Sequence, residues 1–227
     1  MRPTWVRMLT MVAAAWAVPL AAESPREMLV NAAFNDRDKA QAIARIERAH
    51  EGASARIGHA PNDQDALLVQ ATARGYRAKL TGNRGEAIAT RKMFEALVAR
   101  FPRNPEAQVA LGAWHVGLVA KFGGIASRIA VGAQKGIGLT ALDRAVALGG
   151  DRAMFLGLAG LLRLELDPGD PRAIQLTEAA VRGSTPTAID RLVQRAAVAV
   201  LVPLRRGDRK AAQKLAERVL PLGQFGG

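Results

Sequence analysis

From residue 25 onward, apolar residues recur three and four positions apart rather than two. Leu68, Ala71, Gly75 and Ala78 make one such stripe, and Ala42, Ile43, Ile46 and Ala49 another. That spacing lines one face of an α-helix. Long alternating runs of Val, Ile and Thr do not occur, and Ala, Leu and Arg dominate, so strands are not expected. Helix punctuation agrees. Ser24-Pro25-Arg26-Glu27 is a capping box with proline at the first helical position, a start signal. The pattern predicts an all-α chain with helices near 25–34, 37–51, 64–80, 85–100, 105–121, 137–148, 152–166, 171–182, 186–202 and 208–219, Gly52 closing the second.

The chain echoes itself. Pro61-Asn62-Asp63-Gln64-Asp65-Ala66 returns as Pro102-Arg103-Asn104-Pro105-Glu106-Ala107: a turn, an acidic first helical turn, then an apolar helix. Ala89, Ala96 and Pro102 have the mutual spacing of Ala173, Ala180 and Pro186. Small residues seven apart share a helical face, which lets a neighbouring helix come close, and a proline ends the hairpin. With Gly75 and Gly160 as small residues on the preceding helices, these positions resemble the tetratricopeptide repeat (TPR). The resemblance spans most of 24–220. It implies a right-handed superhelix of about five antiparallel helical hairpins, a TPR-like α-solenoid, whose first helices line an extended concave recognition surface.

The stretch "LGAWHVGLVAKFGGIASRIAVGAQKGIG" (111–138) holds seven glycines and only Lys121, Arg128 and Lys135 as charges. Those charges cut it into pieces too short to span a bilayer, and it lacks the Walker A order of glycines, lysine and hydroxyl. Leu111-Gly112 and Trp114, followed by an apolar insertion, resemble the regulator-of-microtubule-dynamics TPR-like family around 105–148. The likeness implies fold alone. On this reading 123–136 is an enlarged connection between two helices of a hairpin. It is expected to form a short amphipathic helix whose stripe of Ile125, Ile129 and Val131 or Gly132 packs on the protein's own core, as such faces usually do. The alternative is an interfacial or partner-binding flap.

Composition adds the compartment. Arg2 and Arg7 precede an apolar run from Met8 to Leu20, interrupted by Pro19 and followed by Ala21 and Ala22. This reads as a signal peptide over 1–22, cleaved near Ala22, leaving 23–227 as a single domain in the periplasm. The chain has no cysteine, so an exported form would rely on a buried core rather than disulfides. Net charge is +12, and loss of Arg2 and Arg7 would leave 30 basic against 20 acidic residues. Outside the cytoplasm the expected counterparts are another envelope or periplasmic protein, an acidic peptide, an anionic membrane surface or a second copy of the chain, not nucleic acid. Basic clusters at Arg74, Arg77, Lys79, Arg84, Arg91 and Lys92, and at Arg205, Arg206, Arg209, Lys210, Lys214 and Arg218, would serve the membrane alternative.

Catalytic constellations are missing from the sequence. No Gly-x-Ser-x-Gly elbow is present, and His50, His59 and His115 lack zinc spacing. No cofactor, metal or catalytic residue is therefore expected. Asp167-Pro168-Gly169-Asp170-Pro171 reads as a turn with an N-cap rather than a calcium loop. His115 reads as a hydrogen-bonded core histidine, with a ligand contact as the alternative. "AMFLGLAGLLRLEL" (153–166) reads as a central buried helix whose Arg163 reaches the surface, pairs with a carboxylate or faces the groove. If the concave surface is a peptide groove, Gln70, Arg74 and Arg77 line it, with Gln108 and His115 on the next first helix and Arg163 on the one after, since Arg forks pair carboxylates and carbonyls.

Overall fold

The computed structural model describes residues 22–226, so the signal peptide expected over 1–22 lies almost wholly outside the described residues. Those residues form eleven α-helices: α1 Pro25–Phe34, α2 Lys39–His59, α3 Gln64–Thr81, α4 Arg84–Arg100, α5 Pro105–Phe122, α6 Gly124–Val131, α7 Lys135–Gly149, α8 Ala153–Leu166, α9 Pro171–Arg182, α10 Ala188–Arg205 and α11 Arg209–Val219. A 3-10 turn follows at Gly223–Phe225. No strand occurs among the described residues, and the loops at Arg152 and Ser184 meet only as an isolated bridge.

Side-chain caps explain most starts. Ser24 and Glu27 complete the expected capping box on α1, while Asp38, Asp63, Asn83, Asn104, Asp170 and Asp208 each accept an amide at the head of their helices. A cap of this kind satisfies amides that have no intrahelical partner. The repeated motif folds the same way twice. Asp63 N donates to Ala60 O at 3.0 Å and Asn104 N to Phe101 O at 2.9 Å, so both proline turns close identically before an Asx cap. The two turns lie side by side. Arg100 reaches Asn62, and Asn104 Nδ2 donates to Gln64 at 3.3 Å. The "DPGD" segment closes in like manner, Asp170 N donating to Asp167 O at 3.1 Å, and Asp170 is the N-cap expected of it.

Helices pack chiefly on their chain neighbours: α1 on α2, α2 on α3, α3 on α4, α5 on α7 across α6, α8 on α9, and α10 on α11. Helix α8 is the hub, touching α5, α7, α9, α10 and α11, and Phe155, Leu161 and Leu164 on it are fully or almost fully buried. Its apolar circumference is thus matched by neighbours on nearly every side. Glycines sit where helices cross. A Cβ on Gly112 would lie 2.7 Å from Leu142 Cδ2, and one on Gly138 would lie 2.8 Å from Val116 Cγ2, so α5 and α7 touch backbone to side chain. Gly75 faces Thr90 and Gly160 faces Thr177 in the same manner.

Two expectations are corrected. Helix α2 does not stop at Gly52 but runs to His59, because Gly52 supplies room for Pro25, which a Cβ would approach to 2.8 Å. The small-residue face expected of α4 is not the packed one: Ala96 is exposed and Ala89 half-buried, while Thr90, Phe94 and Leu97 turn inward. On α9 the matching pair, Ala173 and Ala180, is fully buried. The connection 123–136 contains the short helix expected in it, α6.

Segment 220–226 turns back onto the first helices. Leu222 N donates to Ala33 O at 2.8 Å, Gln224 Nε2 to Asp36 O at 3.2 Å, and Lys79 Nζ to Pro221 O at 2.8 Å. Leu222 is buried in a cluster with Leu29, Ile46, Val69 and Leu80. The single non-glycine residue with positive φ among the described residues is this leucine, at φ 62°.

Candidate interaction surface

The six candidate groove residues are each engaged in helix packing. Gln70 Nε2 donates to Ser54 Oγ of α2 at 3.0 Å. Arg77 holds Glu86 of α4 through both nitrogens, Nε at 3.0 Å, and that pairing keeps the Glu86 carboxyl below the usual range. Arg74 sits beside Arg77 in a tight crevice with Ile46, Glu47, His50 and Ala73. Burial and these two cations push His50 down. Gln108 is buried and donates to Pro102 O at 3.4 Å. His115 is fully buried, and its Nδ1 accepts the Gln134 amide at 3.1 Å. Arg163, also buried, spans Asp143 at 2.7 Å and Asp170 at 3.0 Å, tying α8 to α7 and to the head of α9. Arg74 and Arg77 share a crevice; the other four residues lie at separate junctions.

Chain covers a different side of α3 and α8 from the one that carries Arg74, Arg77 and Arg163. Helix α11 packs on α8, Gln213 Nε2 donating to Glu165 O at 2.8 Å, and Pro221 covers Lys79. Lys79, Glu165 and Glu217 lie within electrostatic reach of one another in the recess between α3, α8 and α11. Protein crowds this recess although Lys79 and Glu217 still meet solvent. Burial raises Glu165 to about 7, against the pull of Lys79 and with help from Glu217.

An open cleft of about 420 Å³ lies where the heads of α1, α3 and α5 meet, lined by Arg26, Gln64, Asp65, Arg103, Asn104 and Glu106. Arg26 crosses it, donating to Asp65 at 2.7 Å from Nε and to Glu106 at 2.6 Å from Nη1. Asp65 also receives Arg56 at 3.2 Å. Both carboxylates are thus held as inter-helix anchors.

A different surface stands out, and the sequence reading turned it the wrong way. On α6, Ser127 and Val131 face inward, while Ile125 is 81% and Ile129 77% exposed. Phe122, at the end of α5, is 55% exposed beside them. Two glycines set this orientation. Gly123 and Gly132, both at φ 78°, bracket the helix, a conformation other residues rarely adopt. The inner side is then fixed by polar staples. Ser127 Oγ donates to Gly123 O at 2.6 Å, Arg84 Nε to Ala130 O at 2.6 Å, and Arg91 Nη1 to Gly132 O at 3.3 Å. Val131 and Ala133 pack with Val119 and Ile88. With only eight residues and its inner side filled by Ser127 and Val131, α6 presents its isoleucines outward. Periodicity shows that a stripe exists but not which side the glycine hinges turn to the core.

No candidate group of three or more metal-ligating side chains occurs among the described residues, and no described helix is long and apolar enough to cross a membrane. The chain matches no protein-family model, no curated protein and no solved structure.

Proposed function

We propose that this chain is a non-catalytic interaction module of the periplasm, built as a TPR-like superhelix of about five hairpins pairing α1 with α2, α3 with α4, α5 with α7, α8 with α9 and α10 with α11. Packing between chain neighbours and the identical proline turns at 60–63 and 101–104 support that reading. So does the use of Asp65 and Glu106 as anchors for Arg26 rather than as free carboxylates. The observation that carries the function is the ridge of Phe122, Ile125 and Ile129. Large apolar side chains held exposed side by side on a rigidly stapled helix and the end of its neighbour have a cost in water, and they mark a contact site. The partner therefore meets the outward side of α6. The test is co-fractionation with native envelopes. The double variant I125S/I129S is expected to release the protein from the envelope while far-UV circular dichroism stays unchanged. Equal retention of parent and variant contradicts the reading.

A further inference from the structure

Resting on the ridge as the contact surface, we infer that its partner is the surface of an anionic lipid bilayer, into which α6 inserts as a shallow wedge. Three features converge on lipid. The first is polarity. Phe122, Ile125 and Ile129 are exposed apolar side chains on and beside α6, and a helix lying in the headgroup region buries this kind of face.

The second is charge. No acidic residue lies between Glu106 and Asp143, while Lys121, Arg128 and Lys135 do, and all three side chains are exposed. None forms an ion pair among the described residues, although Lys121 Nζ sits 5.7 Å from the Phe122 ring. From α4, Arg84 and Arg91 reach the same helix. The nearby acids of α4 are already paired, Glu86 with Arg77 and Glu95 with Arg91. The exposed apolar residues are therefore flanked by a cationic rim, and the acidic residues of α4 and α5, on which α6 packs, are each already paired. Anionic headgroups attract such a rim.

The third is rigidity. The wedge is held by backbone-directed arginines and by a buried serine, so insertion need not order a flexible loop first.

Because the chain has no cysteine, Ile129→Cys gives a unique thiol for an environment-sensitive dye in the full-length protein. With vesicles of phosphatidylcholine and phosphatidylglycerol, the dye emission should shift to the blue and become quenchable from within the bilayer. Phosphatidylcholine alone, or high salt, should weaken binding, since exposed charges are screened within about 10 Å at 0.1 M. Vesicle sedimentation of the otherwise unlabelled I125S/I129S chain should fall by roughly tenfold or more per isoleucine removed from the bilayer. The variant keeps residues 1–22, so any binding by that segment is common to both proteins. Charge removal in R128Q/K135Q should lower binding to the anionic vesicles by roughly fivefold per cation and leave circular dichroism unchanged. Unshifted emission, or equal sedimentation of parent and I125S/I129S, overturns the inference. If vesicles fail while envelope retention still depends on Ile125 and Ile129, the lipid identity falls and the contact surface stands. If both fail, the ridge is not a contact surface.

Discussion

His115 has no exposure to solvent, and its Nδ1 accepts the amide of Gln134, the residue at the head of α7. The ring must then be neutral with its proton on Nε2. Burial, reinforced by Arg91, pushes it down to about 4. An unfolded histidine titrates near 6.5 and takes up a proton first as pH falls, so the stability this group contributes is complete above 6.5 and is lost toward 4. Replacing it by phenylalanine leaves the Gln134 amide unpaired. At neutral pH H115F is expected to cost about 1–3 kcal/mol, read by urea unfolding. Glu165 works the opposite way, its contribution lost as pH rises toward 7, but it is common to both proteins. The difference between parent and H115F should therefore shrink from pH 7 to pH 4.5; a constant difference contradicts the assignment. That His115 lies in the core was legible beside Trp114 on an apolar helix. The partner was not, because Gln134 comes from across the α6 excursion and only the folded path brings them together. Asp190 was equally hidden. It is fully buried, takes Arg152 and the Met154 amide, and closes a capping box with Thr187. Burial alone would raise its carboxyl, but these donors hold it below the usual range.

At the scale of helices, the α-helices were legible in the sequence, because caps and punctuation are local. Pro25, Pro105 and Pro171 mark first turns, and Asp63, Asn104 and Asp170 mark caps. What could not be read was which glycine ends a helix and which admits a neighbour. Gly52, Gly112 and Gly138 are helical and serve close approach, whereas Gly123 and Gly132 turn the chain. This distinction is testable. Gly112→Val drives a branched side chain into Leu142 and should destabilise by about 1–3 kcal/mol through overpacking. Gly117 lies on the same helix with open space at its Cβ position, so Gly117→Ala should stabilise by about 0.5–1 kcal/mol through helix propensity. Thermal melts of both variants check the pair. Equal effects would mean that α5 and α7 do not cross at Gly112.

For the molecule as a whole, the segment 220–226 joins the last helix to the first three, a tie that periodicity cannot reveal because it depends on where the stacked helices bring that segment. Leu222 is almost completely buried against Leu29, Val69 and Leu80. L222A should cost about 2–5 kcal/mol and speed hydrogen exchange in α1, although the change lies far away in sequence; undisturbed exchange there contradicts the tie. The candidate peptide groove through Arg74, Arg77 and Arg163 was not legible for another reason: Arg77 and Arg163 pair with carboxylates of neighbouring helices, and Arg74 lies in a crevice against α2. The proposed contact surface is α6. Photo-crosslinking from Ile129 in native envelopes measures that claim most directly, with Arg74 as the comparison position. The account predicts adducts with envelope lipid or protein from position 129 and none from 74. Adducts from 74 with silence at 129 would contradict it.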